Sequence, residues 1–439
     1  MSPILRGRRR FRTTLASLTA IALSVGLLAA CGSNDEQPAS DSPTASGYDE
    51  HGPITLVSAK EVTGSRAKEV AAWNADHPDE KVQMIDLPDA ADQQRQQLIN
   101  NAQVKSDQFT VIRIDAVWTA EFAANQWVDE ISRDQFPMEG YLPATIDTVT
   151  YFDKLYAVPD ATGAGLLFYR KDLLDDVGLE PPTTWAEMKA ACDKIKAKPA
   201  NKNLGCYAGQ FNKYEGLTVN FAEAVASAGG SITTDGKPTV NTPEAREGLD
   251  FLVDGFKNGT IPKGAITWQE EEGRQAFQGG KLIFLRNWAY VYALADQTDG
   301  SSKVAGKFDV APLPGKDGPG VSMLGGNNFA ISSFAKNKGT AVDFITYLNT
   351  PEAQKERLLK TAAPPPLGSL YTEPDLVKKY PYLPALKTSI EKAQSRPKVV
   401  NYGDVTLAIQ DAAYAALQRQ ISPDVALKTL QAKLETLIT

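Results

Sequence analysis

Along the chain, apolar positions recur first with the two-residue period of strands and then with the wider period of helices. Ile54-Thr55-Leu56-Val57 reads as a strand. The helix after it carries Val70, Ala71 and Trp73 on its apolar side and stops before His77-Pro78, since proline cannot continue a helix. Val82-Gln83-Met84-Ile85 predicts a second strand, 90–101 a polar helix, and 109–114 a third strand with alternating bulk. Asp115 ends that strand, where it can cap a helix over 117–125. This β-α-β-α-β order predicts a mainly parallel sheet covered by helices.

A second block begins after Pro159. Ala161-Thr162-Gly163-Ala164-Gly165 reads as a flexible loop that the strand Leu166-Leu167-Phe168-Tyr169 leaves. Helical patterns then dominate over 185–196, 217–228, 243–257 and 271–277, before a strand at 282–285. Pro312-Leu313-Pro314 and Gly325-Gly326 punctuate a further crossing, and 340–348 starts another helix. A chain of 439 residues is too long for one core. The expected division is a first lobe of 53–160 that also receives about 287–335, and a second lobe of 161–286 that also receives about 336–439.

The N-terminus changes this picture. Arg6, Arg8, Arg9, Arg10 and Arg12 precede an apolar or small run over 15–30 that ends Leu28-Ala29-Ala30-Cys31. That run falls short of the roughly 20 residues a membrane span needs, so 1–30 reads as an export signal. The small residues before Cys31 predict cleavage there and lipid on its thiol, which would hold the protein on the extracytoplasmic face of the membrane. Arg8-Arg9-Arg10-Phe11 also suits twin-arginine export. The polar stretch 31–52, with Tyr48 its one sizeable apolar side chain, reads as a disordered tether.

Without the five signal arginines the net charge moves from −7 to about −12, which argues against nucleic acid or anionic lipid as a partner. Cys192 and Cys206 form an even pair in an exported chain and predict a disulfide. Metal binding or nucleophilic catalysis by them fits poorly, because the chain's histidines are His51 and His77 alone.

Several stretches resemble the extracellular sugar-binding proteins of ABC importers, in particular the trehalose/maltose-binding branch. They are Ile114-Asp115-Ala116-Val117-Trp118-Thr119-Ala120-Glu121-Phe122 with Trp127, then Leu155-Tyr156-Ala157-Val158-Pro159, then Gly165-Leu166-Leu167-Phe168-Tyr169-Arg170-Lys171-Asp172-Leu173. Tyr214-Glu215-Gly216-Leu217, Ala276-Phe277-Gln278-Gly279-Gly280-Lys281 and Arg286-Asn287-Trp288-Ala289-Tyr290 follow. Val310-Ala311-Pro312-Leu313-Pro314, Leu324-Gly325-Gly326 and Ser395-Arg396-Pro397 complete the set, in the family's order. The resemblance implies a two-lobed α/β, periplasmic-binding-protein-like fold with a hinge and an interlobe ligand cleft. It further implies a monomer without cofactor that passes an α-linked disaccharide or short oligosaccharide, such as trehalose or maltose, to permease subunits.

The resemblance also implies roles. Asp115, Trp288 and Arg396 stand at the family's sugar-contacting positions, with a helix cap, a core tryptophan and a surface loop as their plain alternatives. The chemistry of sugars, which present a flat C–H face ringed by hydroxyls, adds candidates. Arg95 offers a forked donor, Gly325 and Gly326 allow close backbone approach, and Glu61 and Glu271 offer acceptors. Trp268 offers a second stacking ring. Asn327 stands where some trehalose/maltose binders carry a second tryptophan, so the sugar's identity stays open. Acids and tryptophans in a cleft also describe glycoside hydrolases, which need two carboxyls across the scissile bond; that is the competing class.

Overall fold

The computed structural model describes residues 47–438; the export signal, Cys31 and most of the tether lie outside the described residues. Chain order gives β1 (Ile54–Ala59), α1 (Ser65–Asp76), β2 (Val82–Leu87), α2 (Ala91–Gln103), β3 (Val111–Asp115) and α3 (Thr119–Ala124). After them come β4 (Val158–Gly163), β5 (Leu166–Tyr169), α4 (Trp185–Lys196), β6 (Gly205–Ala208), α5 (Glu215–Ser227), α6 (Pro243–Asn258) and α7 (Glu270–Gln278). Later elements include β7 (Leu282–Asn287), β8 (Asp309–Ala311), β9 (Gly325–Ile331), α8 (Lys338–Asn349), α9 (Tyr402–Leu417) and α10 (Pro423–Leu437). Helix starts follow local chemistry. Thr184 and Glu187 form a reciprocal capping box on α4, and Thr242 caps α6 ahead of Pro243.

Two main sheets result, one per lobe. The first runs β2-β1-β3-β9-β4 and the second β8-β5-β7-β6. β1 is parallel to β2 and β3, as expected, but β9 lies antiparallel to both β3 and β4. The first sheet is therefore mixed: β9 comes back from the other lobe and inserts between two strands already running the opposite way. Each sheet has its own core. Leu56, Ile114, Phe122, Phe329 and Phe344 belong to the first, and Phe168, Phe211, Phe221, Phe284 and Leu434 to the second.

Four expectations change. Ala161-Thr162-Gly163 is not a flexible loop but the end of β4, paired with Asn327, Gly326 and Gly325. The return to the first lobe comes later than residue 287, because β8 pairs with β5 in the second sheet. Directly after β9, α8 buries Phe344, Ile345 and Leu348 in the first core, where 336–439 was expected in the second lobe; a helix leaving a strand covers the sheet that strand has joined. At the other end, 47–52 is not free tether. Tyr48 packs against the first core and its hydroxyl donates to Asp129 at 3.3 Å, while the Gly47 carbonyl accepts from Lys338 N–H.

Cys192 on α4 and Cys206 on β6 are joined by a disulfide, with Cα atoms 5.5 Å apart. Replacing both by serine should cost about 3 kcal/mol, the loop-closure entropy of a ring this short. Urea melts under non-reducing conditions test this, and equal midpoints for parent and double variant would refute it.

Candidate ligand-binding site

A cleft of about 400 Å³ opens between the lobes. That is within the roughly 300–1,000 Å³ of small-molecule sites. Its first wall comes from the ends of β1, β3, β4 and β9, and its second from the starts of α5 and α7 and the exit of β7. Open α/β sheets commonly bind ligands at such strand ends.

Trp288 leaves β7 into this space, half-buried. One face of its ring is covered by the Arg286 guanidinium, 4.0 Å from the ring centroid. Arg286 is itself 1 % exposed and held by Glu223 at 2.6 and 2.7 Å and by Gln210 at 2.9 Å. The ring's edge presses on Gly325, where a Cβ would come within 2.7 Å of it. Gly326 has φ +140°, and a Cβ there would meet the Ala161 carbonyl at 2.4 Å. These two glycines thus make room for Trp288 and for β4, and both also line the cleft.

Asp115 and Arg396 meet directly. Arg396 Nη2 donates to Asp115 Oδ1 at 2.9 Å and Nη1 to Glu215 Oε1 at 2.5 Å. The Ser395-Arg396-Pro397 segment runs beside the lobe crossing and carries the guanidinium to the aspartate. Burial opposes the charge on Arg396, but Asp115, Tyr402 and Glu215 outweigh it. Burial pushes the Glu215 carboxyl up, with Arg396 pulling against it. Asp115 also accepts from Val117 N–H at 3.2 Å, which closes the turn before α3; the helix itself starts at Thr119 behind Trp118 with no side-chain cap, so Asp115 does not serve as the cap expected of it.

The other candidates divide. Glu61, Glu271 and Asn327 line the cleft. Glu61 accepts from the Thr63 and Arg66 amides at 3.0 and 3.2 Å, and Glu271 from the Tyr290 hydroxyl at 2.7 Å and Arg274 Nε at 2.8 Å. Arg95 and Trp268 are not among the lining residues. Arg95 turns away from the cleft to pair with both oxygens of Glu121 on α3. Trp268 packs on the second core, and its carbonyl is bound by the Phe211 and Asn212 amides.

Residues 59–355 match the family of bacterial extracellular solute-binding proteins. A probable ABC transporter-binding protein of Deinococcus radiodurans is 34% identical over 362 residues, 80% of this chain and 86% of that one. Maltose-bound MalE3 of T. maritima superposes with a TM-score of 0.83 at 32% identity, covering 88% of this chain and 99% of that one. A ribitol-bound ABC transporter solute-binding protein from Agrobacterium radiobacter gives 0.76 at 25% identity, covering 88% and 99%. The chain belongs to the bacterial extracellular solute-binding proteins. Such a protein is an extracytoplasmic component of transport and not an enzyme, and the hydrolase class falls away.

This solute-binding protein holds a second charged group that the sequence reading missed. Asp160 on β4 lines the cleft floor fully buried, gripped by Arg66 at 2.7 Å, Arg113 at 2.7 Å and Arg357 at 3.0 Å. Burial raises its carboxyl, yet the three guanidiniums win and hold it well below the usual range. One signal was available: Arg113 lies two residues before Asp115, hence on the same strand face. Tyr214 and Glu270 were missed as well. They are hydrogen-bonded at 2.6 Å, and burial pushes Glu270 up against hydrogen bonds from Tyr214 and Trp288.

Asp160→Asn should cost about 3–5 kcal/mol, because it leaves buried arginines without their counter-charge. A depressed carboxyl contributes fully above the ordinary aspartate range near 4 and loses its contribution as pH falls below it. Urea denaturation at pH 7 should therefore separate parent from variant, and the gap should shrink in acid. Equal stability at pH 7 would contradict the assignment.

Proposed function

We propose that this binding protein takes an α-linked glucoside, such as maltose or trehalose, and delivers it to the permease subunits of an ABC importer. The observation that carries the reading is Trp288: an aromatic plane fixed from below by Arg286 and at its edge by Gly325, in the same cleft as the Asp115–Arg396 pair. Such a platform suits the flat C–H face of a sugar ring and has less to offer an open-chain polyol. The maltose-bound relative supports a disaccharide. Nine carboxylates against five basic side chains line the cleft, which favours a neutral sugar over a sugar phosphate or sugar acid.

Melting shifts across maltose, trehalose, sucrose, mannitol and glucose 6-phosphate test the class, since a ligand stabilises by RT ln(1 + [L]/Kd). A disaccharide should give the largest shift and the phosphate none; a shift with mannitol alone would overturn the reading. Trp288→Ala should weaken disaccharide binding by about 2 kcal/mol or more, roughly 30-fold in Kd. Calorimetry reads this, and an unchanged Kd would remove Trp288 from the site.

The same reading places lipid on Cys31. Cys31→Ala is then expected to move the protein from the membrane fraction to the medium, and full membrane retention would count against the anchor.

A further inference from the structure

The start of α5 is capped from the other lobe. Glu215, its first residue, donates its backbone N–H to Asp92 Oδ2 at 2.8 Å. Asp92 sits on α2, whose Leu98 and Ile99 belong to the first core, whereas Leu217, Phe221 and Val225 of α5 belong to the second. The residue preceding the helix does not serve: Tyr214 makes no side-chain cap and gives its hydroxyl to Glu270 at 2.6 Å. Gln410 of α9, also from the second lobe, reaches the other Asp92 oxygen at 3.4 Å. Asp92 itself is absent from the cleft lining, although its neighbours Ala91 and Gln94 are part of it.

A helix start leaves amide donors without partners, and an anion there is favoured by the helix dipole as well as by the hydrogen bond. For α5 this anion arrives only when the lobes meet. We propose that Asp92 is a latch: it sets the affinity of the cleft without touching the ligand, by capping α5 in the closed arrangement alone. Opening exposes an uncapped helix and a carboxylate in water, so closing is favoured by the difference. The observed affinity of a hinged binding protein is its intrinsic affinity reduced by the fraction that is closed. Losing an N-cap should shift that balance by about 10-fold.

The inference depends on the two-lobed fold and not on which sugar binds, and the test keeps these apart. In a Cys31→Ala background, Lys68→Cys on α1 and Lys257→Cys on α6 place spin labels on exposed positions of the two lobes. Interlobe distances are measured with and without maltose, in the parent and in Asp92→Ala, Asp92→Asn and Asp92→Glu. Asp92→Ala should enlarge the long-distance population, leave ligand-free melting unchanged, and weaken any maltose binding about 10-fold. Asp92→Asn, which keeps an acceptor, should fall between, and Asp92→Glu should restore part of the closure. Identical distance distributions in parent and Asp92→Ala would overturn the latch. So would a parent found only at the long distance in both samples, because the cap would then never form.

Discussion

Arg396 is 3 % exposed, and its charge lies between carboxylates of different lobes. Taking an ion out of water costs several kcal/mol unless partners and hydrogen bonds replace the hydration. Here Asp115, Glu215 and the Leu324 carbonyl take the two Nη groups, while the buried Nε–H has no protein partner. Glu215 in turn accepts from Tyr402 and Thr406 of α9 at 2.5 and 2.7 Å. The guanidinium reaches this point because Leu324 N–H donates to the Gln394 carbonyl at 2.8 Å and Gln394 N–H to the Ser322 carbonyl at 3.0 Å, which ties its segment to the lobe crossing. The first sheet, α5 and the C-terminal helices thus converge on one buried charge, and each would be left with an unpaired group if it were lost.

A second connection runs from the aromatic platform to the hinge. Arg286 lies under Trp288 and pairs with Glu223, and Glu223 accepts from the Ser322 hydroxyl at 2.9 Å and the Met323 amide at 3.2 Å. The Ser322 hydroxyl accepts from Gly165 N–H at 2.5 Å. Gly165 and Ser322 belong to two of the stretches by which the chain passes between the lobes, β4 to β5 and β8 to β9. One ion pair, Arg286–Glu223, thus connects the underside of the tryptophan ring to both of these crossings.

Much of this was legible in the sequence, and what was not has a physical cause. Period-two and helical patterns located the strands and helices of both lobes, because a buried face must repeat with its element. Asp115, Trp288 and Arg396 were found from motif order. Their mutual distances were not, since nothing local tells that residue 396 returns beside residue 324. Arg95 and Trp268 were misplaced for the same reason: the direction of a side chain on a polar helix or after a short turn is decided by a distant partner, here Glu121 and the second core. Asp160 was passed over because the stretch after it read as a flexible loop, and an acid at the edge of a loop looks exposed until three arginines from distant parts of the chain are seen around it. Lobe membership of 287–349 also depended on pairing, which β8 and β9 settle in opposite senses.

The charges in the cleft explain why such a site can be acidic and still suit a neutral ligand. Asp160 is committed to three arginines, Glu61 to the turn that starts α1, Glu271 to Tyr290 and Arg274, and Glu215 to Arg396. A charge already engaged by fixed donors exerts little net pull on an ion, yet its remaining lone pairs still accept hydrogen bonds from hydroxyls. Because those oxygens are held in place before the ligand arrives, few side chains have to be immobilised on binding, and less of the interaction is lost to ordering. An anionic sugar would find no free guanidinium fork at Asp115 to answer its charge, because both Nη groups of Arg396 are already engaged. On the proposed reading, selectivity for uncharged hydroxyls over charged groups follows from this pairing inside the protein together with the acidic balance of the lining.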